Sequence, residues 1–222
     1  MKKQISILST KTLSGENRLI LNDAHFFLLE EDFINVEKSN FELNNINENL
    51  IFTSQNAVQS ILESSFSENL KSKNVFCVGS KTREFLEENG FTVTAFTGYA
   101  EDLAEIITLI YSTESFTFFS GNLRKETLPS MLTEAKVKWN EIKVYDTQLT
   151  PLKIKEEIDG LLFFSPSGVE SYLKENKIKD EICFCIGNTT AEALQIKGVK
   201  NIIIAQKPTI ANVIDDVLNK YK

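Results

Sequence analysis

Short apolar runs recur along the chain at Ile5–Leu8, Leu50–Phe52, Val75–Val78, Phe116–Phe119, Leu161–Phe164 and Ile182–Ile186, and each reads as a strand. Between them apolar residues fall three and four apart. That spacing predicts helices over Asn56–Ser64, Lys81–Asn89, Ala100–Leu109, Ser167–Asn176, Thr189–Lys197 and Ile210–Asn219. Gly90 and Gly198 stand just past two of them, where a helix stop calls for a residue free to turn left-handed. Strand and helix in alternation imply a parallel α/β fold.

The pattern also repeats at about half the chain length. IFTSQNAVQSIL at 51–62 aligns with LFFSPSGVESYL at 162–173, with five of twelve positions identical. VFCVGSKTREFLEENGF at 75–91 aligns with CFCIGNTTAEALQIKGV at 183–199, with seven of seventeen identical. SILS at 6–9 echoes TFFS at 117–120, and EDFINVE at 31–37 echoes NEIKVYD at 140–146. An internal duplication is the simplest account.

Polar, breaker-rich stretches at Glu37–Asn49 and Asp146–Pro151 follow extended segments at repeat-equivalent places and read as crossings between domains. Two crossings, one per repeat, predict that residues 1–36 and 148–222 build one α/β domain from both chain ends. Residues 37–147 then form the inserted second domain.

Composition narrows the function. The 222 residues are 42% hydrophobic and 25% charged, an ordinary globular balance, and the net charge of −7 gives no basic field for nucleic acid or anionic membrane. No apolar run approaches the roughly 18 to 20 residues of a membrane span, and Met1-Lys2-Lys3-Gln4 leads into a strand instead of a signal peptide. A cytoplasmic monomer is the expectation. His25 is the only histidine, which removes His-based metal sites and nearly every His-dependent nucleophile. Cys77, Cys183 and Cys185 sit in apolar runs and read as buried thiols.

Candidate chemistry lies in the loops that follow the strands: Ser9-Thr10, Thr53-Ser54-Gln55-Asn56, Gly79-Ser80, Ser120-Gly121-Asn122, Ser165-Pro166-Ser167-Gly168 and Gly187-Asn188-Thr189-Thr190. In an open α/β sheet such loops share one edge, and the helices they start offer unpaired N–H groups to carboxylates or phosphates. Ordinary helix capping by the same Ser, Thr and Asn residues is the competing reading for any one loop.

The order and spacing of FTSQNAV, GNLRKETLP, VYDTQ, FFSPSGVESYL and IGNTTAEAL within this duplicated frame resemble uroporphyrinogen-III synthases. The resemblance spans essentially the whole chain and is weakest over the first fifty residues, where Lys11 stands at a place often held by Arg. It implies two flavodoxin-like parallel-sheet domains joined by a two-stranded linker, with the substrate in the cleft between them. The implied reaction is the dehydrative cyclisation of hydroxymethylbilane, a linear tetrapyrrole polycarboxylate, to uroporphyrinogen III with inversion of ring D, using no metal or organic cofactor.

By the same resemblance Tyr145 in VYDTQ is the catalytic candidate, donating a hydrogen bond to the departing hydroxyl; a linker tyrosine packing its ring is the alternative. Val36 holds its place in the first repeat. Thr189 and Thr190, with Thr82 as the symmetry mate of Thr190, are substrate-binding candidates, as are Thr53, Ser54 and Asn56 and the matching Ser165 and Ser167. Ser120, Gly121 and Arg124 complete the set, Gly121 by allowing close backbone approach and Arg124 by pairing with a side-chain acid of the substrate or standing solvated at a helix end. A two-lobed binding or sensor protein for an anionic ligand is the rival function. A duplicated receiver-like module fits poorly, because the repeat has no strand-end Asp pair with a later Lys.

Overall fold

A computed structural model describes residues 4–221. The chain starts with β1 (Ser6–Ser9), α1 (Gly15–Asp23) and β2 (Phe27–Glu30), then runs through β3 (Ile34–Lys38). The middle stretch carries β4 (Asn49–Phe52), α2 (Gln55–Leu62), α3 (Ser67–Leu70), β5 (Asn74–Val78), α4 (Ser80–Glu88) and β6 (Val93–Thr97). It continues through α5 (Ala100–Ile110), β7 (Ser115–Gly121), α6 (Thr127–Glu134) and the long β8 (Lys138–Leu149). The last stretch holds β9 (Gly160–Phe163), α7 (Pro166–Glu175), β10 (Ile182–Cys185), α8 (Asn188–Ile196), β11 (Ile202–Ile204) and α9 (Ile210–Tyr221).

These elements divide into two units, Met1–Asn35 with Gln148–Lys222, and Val36–Thr147. The chain passes from one to the other inside β3 and returns inside β8, so the polar residues after β3 belong to the middle unit.

The first unit holds a five-stranded sheet in the order β11-β10-β9-β1-β2, with every neighbouring pair parallel. Counted in chain order within the unit this is 2-1-3-4-5, the flavodoxin order. Period-two alternation decides which helix each strand residue meets. Ile7, Leu162 and Phe184 pack with Leu21 of α1 and with Val213, Ile214 and Val217 of α9. Leu8, Leu161, Phe163, Cys183 and Cys185 point to the other face, against Val169 and Tyr172 of α7 and Ala191 and Leu194 of α8.

The middle unit holds a sheet in the order β3-β8-β7-β4-β5-β6, in which β8-β7, β7-β4, β4-β5 and β5-β6 are parallel. Leu50, Phe52, Cys77, Phe119 and Val144 face α2 and α4, through Ala57, Val58, Ile61 and Leu86. Ile51, Phe76, Phe116 and Phe118 face Leu103, Ala104 and Ile107 of α5 and Leu128 and Leu132 of α6. Strands buried on both faces need continuous apolar runs, which is why these were the readable part of the sequence.

Burial pushes all three thiols up to about 12, so they stay protonated and unreactive at neutral pH. His25 adopts a left-handed turn, φ 64°, two residues ahead of β2. It therefore stands at the strand-start edge, opposite the loops that carry the candidate chemistry.

Candidate active site

In the middle unit, β4 and β7 are neighbours, yet the helices that follow them lead to opposite sides of the sheet. This is a switch point, the place beyond the carboxyl ends of the strands where open α/β sheets bind their ligands. Thr53 and Ser54 follow β4, Thr82 lies in the helix after β5, and Ser120, Gly121 and Arg124 follow or end β7. Tyr145 is near the end of the adjoining β8. The topology thus brings eight of the sequence candidates, Asn56 included, to one edge of one sheet.

Their local roles differ. The Ser54 hydroxyl caps α2 by accepting the Asn56 N–H at 3.1 Å, while Asn56 itself is exposed in the first turn. The helix after β5 starts at Gly79, whose φ of 90° suits glycine, and has no side-chain cap bond. Thr82 is buried beneath that turn.

Tyr145 owes its position to an irregularity in the pairing of β7 with β8. The register runs regularly to Ser120↔Lys143, but Gly121 then faces Tyr145, so Val144 is one residue too many. Such a bulge re-aims the side chain that follows it. The Tyr145 ring lies directly on Gly121: a Cβ there would fall 2.3 Å from Tyr145 Cζ. The close approach that glycine permits at 121 is therefore used by this ring. The ring also packs against the Leu50–Phe52–Phe119–Val144 cluster, and its hydroxyl has no hydrogen-bond partner among the described residues.

Arg124 is fully engaged. Its Nε and Nη2 donate to the two carboxylate oxygens of Glu141 at 2.6 and 3.0 Å, and its Nη1 lies 2.6 Å from Glu126. The Ser120 hydroxyl donates to the same Glu141 at 2.5 Å. Burial raises the pKa of Glu141, but the hydrogen bonds from Arg124 and Ser120 outweigh it and hold the carboxyl below its ordinary range. Asn122 adds a two-way bond to Thr147, accepting its N–H at 2.7 Å and donating to its carbonyl at 3.0 Å. Glu141 and the extra Val144 were not among the sequence candidates, and Asn122 was named only as part of its loop. The only hint was polar Glu141 on the strand that carries Tyr145.

In the first unit the corresponding switch point lies between β1 and β9. Ser165 caps α7 by accepting the Gly168 N–H at 3.0 Å, and its Oγ is 3.0 Å from that of Ser167. Thr190 is buried and Thr189 exposed in the first turn of α8, which starts at Gly187 with no side-chain cap bond. The loop after β1 is already satisfied internally: Thr12 N–H donates to Asp32 at 2.7 Å and Leu13 N–H to Glu30 at 2.7 Å. Lys11 in that loop is exposed. A concavity of about 900 Å³ also occurs in this unit, but Asp159, Tyr172, Glu181 and Tyr221 in its lining place it at the strand-start edge, away from these loops.

A family model described as uroporphyrinogen-III synthase HemD matches residues 34–215, most of the chain. The chain belongs to the uroporphyrinogen-III synthase family. Among its relatives, the uroporphyrinogen-III synthase of Chlorobaculum parvum is 28% identical over 194 residues, covering 76% of this chain and 79% of the relative. That of Saccharomyces cerevisiae is 28% identical over 225 residues, covering 84% and 81%. The fold is shared with the crystal structure of uroporphyrinogen-III synthetase from Helicobacter pylori, at a TM-score of 0.72 and 23% identity over 98% of this chain and 100% of that one. A mutant uroporphyrinogen III synthase from Thermus thermophilus aligns at a TM-score of 0.75 and 16% identity, covering 97% and 98%.

Proposed function

We propose that this chain cyclises hydroxymethylbilane to uroporphyrinogen III, inverting ring D, as its family membership implies. Loss of the hydroxyl of the hydroxymethyl group as water leaves its carbon on the pyrrole as the methylene of an electrophilic azafulvene. Ring D attacks it through its substituted carbon to give a spiro intermediate, which fragments and recloses inverted. The pyrroles supply the electrons, so the protein's tasks are to bend the chain and to assist the departing hydroxyl. The proposal includes action as a cytoplasmic monomer without nucleic acid, with two domains made of residues 1–36 with 148–222 and of 37–147, derived by duplication. The matching spatial order of β11-β10-β9-β1-β2 and β6-β5-β4-β7-β8 supports the duplication.

The observation that carries the assignment of roles is the Tyr145 hydroxyl, without a hydrogen-bond partner among the described residues, at the same sheet edge as Thr53, Ser54, Ser120 and Thr82. A phenol can donate to a leaving hydroxyl without placing a carboxylate beside a polycarboxylate. Hydroxyls and first-turn amides, here and at Ser165, Ser167, Thr189 and Thr190, would hold the substrate's acids.

Pure protein given enzymatically made hydroxymethylbilane should yield isomer III after oxidation and separation of the porphyrins. Isomer I alone would mark a binding protein. Tyr145→Phe should keep the fold and lower turnover roughly ten- to a thousand-fold. Unchanged turnover would return Tyr145 to a packing role.

A further inference from the structure

Because the Tyr145 hydroxyl has no hydrogen-bond partner among the described residues, none of them fixes where it points. Its direction is set by what lies under the ring, and that is the backbone at Gly121. The segment that carries Gly121 is tied to β8 on both sides of Tyr145. Ahead of it, Glu141 takes the Ser120 hydroxyl at 2.5 Å and two Arg124 nitrogens at 2.6 and 3.0 Å. Beyond it, Asn122 exchanges two hydrogen bonds with Thr147. Residues 120, 122 and 124 thus all grip the strand that bears Tyr145, and two of those three grips end on one carboxylate.

We propose that Glu141 is a positioning residue for Tyr145: it locks the β7 exit loop to β8 so that Gly121 forms a fixed floor and the phenol is held in its donating direction. Glu126 cannot do this. It reaches Arg124 from two residues away on the same loop, its side chain is 75% exposed, and a contact inside the loop ties nothing to β8. Charge matters as well as shape, since Glu141 faces three donors with two acceptor oxygens. A glutamine would turn an N–H₂ towards one of them and break at least one bond at constant volume.

This inference rests on the reading of Tyr145 as the donor, and the test separates the two. Wild type, Glu141→Gln, Tyr145→Phe and the double variant are compared for kcat and KM with hydroxymethylbilane, for the ratio of isomers III and I, and for Tm. Glu141→Gln should lower kcat about ten-fold, because a displacement of part of an ångström misaligns the donor, with KM changed less than about two-fold. In the Tyr145→Phe background the same substitution should cost no further kcat, since no hydroxyl remains to be aimed. An equal loss in both backgrounds, or no loss in either, overturns the proposal. Should Glu141→Gln fail to fold, Arg124→Lys, which keeps the charge but gives up the fork, carries the same expectation. If Tyr145→Phe alone turns over like wild type, the donor reading fails and this inference falls with it. A loss in Tyr145→Phe without coupling to Glu141 removes only the inference.

Discussion

Gly121→Ala puts a methyl group where the Tyr145 ring now lies. The new Cβ would stand 2.3, 2.4 and 2.8 Å from Cζ, Cε2 and Cε1, whereas ordinary contact begins near 3.4 Å. Something must therefore move by more than 1 Å. Gly121 itself has no positive φ that would penalise alanine, so the whole cost comes from the ring. The ring is rigid and packs on a fully buried cluster, which leaves two escapes. It can push into that cluster, an overpacking that costs about 1–3 kcal/mol and, at about 2–4 °C per kcal/mol for a chain of this size, lowers Tm by roughly 2–12 °C. Alternatively it can swing off the floor, sparing the core but carrying the hydroxyl several ångströms away.

Either escape misplaces the proposed donor, and a 1 Å error in a reacting group is worth about 100-fold in rate. We expect kcat to fall by about that factor, with more isomer I as misdirected substrate closes without inversion. The assay is turnover of hydroxymethylbilane with separation of the oxidised isomers, alongside thermal melts. Gly121→Ala should cost less Tm in a Tyr145→Ala background than in the wild-type background, because the obstructing ring is gone. Wild-type turnover and Tm in Gly121→Ala, or a larger loss of Tm from Gly121→Ala in the Tyr145→Ala background, would refute the claim that the ring owns this space.

Two further predictions concern stability. Ser171 is fully buried in α7 and its hydroxyl has no partner among the described residues, so Ser171→Ala should stabilise the protein by up to about 1 kcal/mol in urea titrations, and a loss would contradict the unpaired state. Asp216 in α9 has a buried oxygen without a partner among the described residues, and its carboxyl is raised above the ordinary 3.8, by burial first and then by Asp215. A carboxyl raised in the folded state contributes its stability below the unfolded pKa and loses it as pH climbs through the folded one. Asp216→Asn should therefore raise Tm at pH 7, with the gain shrinking towards pH 4; a gain that is largest at low pH would reverse the sign.

The strands buried on two faces were legible because burial on both sides demands an unbroken apolar run, as in Leu161–Phe163 and Val75–Cys77. Helices with one clean apolar face were legible too. α1 was not, because Leu19 and Ile20 face outward and leave only Leu21 fully buried on that helix. α6 was hidden by Pro129, which sits in its first turn, where a missing N–H is tolerated. At the site, the loops and Tyr145 could be named from the sequence, but the use of Gly121 could not. Its reason lies in a register shift between β7 and β8, and a bulge of one residue leaves no mark in periodicity when the residues around it are VYDTQ. Arg124 looked available for the same cause: its partner Glu141 is seventeen positions away and meets it only through strand pairing.

The arginines bear on how an acidic chain can hold a polycarboxylate. There are three in the sequence, and each is bonded to a glutamate: Arg18 to Glu30, Arg83 to Glu87 and Arg124 to Glu141. None stands as a spare guanidinium fork, so side-chain arginines are poorly placed to be the receptor. The remaining donors are hydroxyls, lysines and backbone amides, and the amides are unevenly used. The helices after β4 and β9 have their first turns capped by Ser54 and Ser165, and the loop after β1 gives its amides to Asp32 and Glu30. The helices after β5 and β10 start instead at Gly79 and Gly187, with no side-chain cap bond. Those two first turns are symmetry mates in the repeat, one in each unit, and each presents the positive end of a helix without a side-chain cap bond. Recognition distributed in this way would need no excess of positive charge, so a net charge of −7 does not argue against the proposed polycarboxylate substrate.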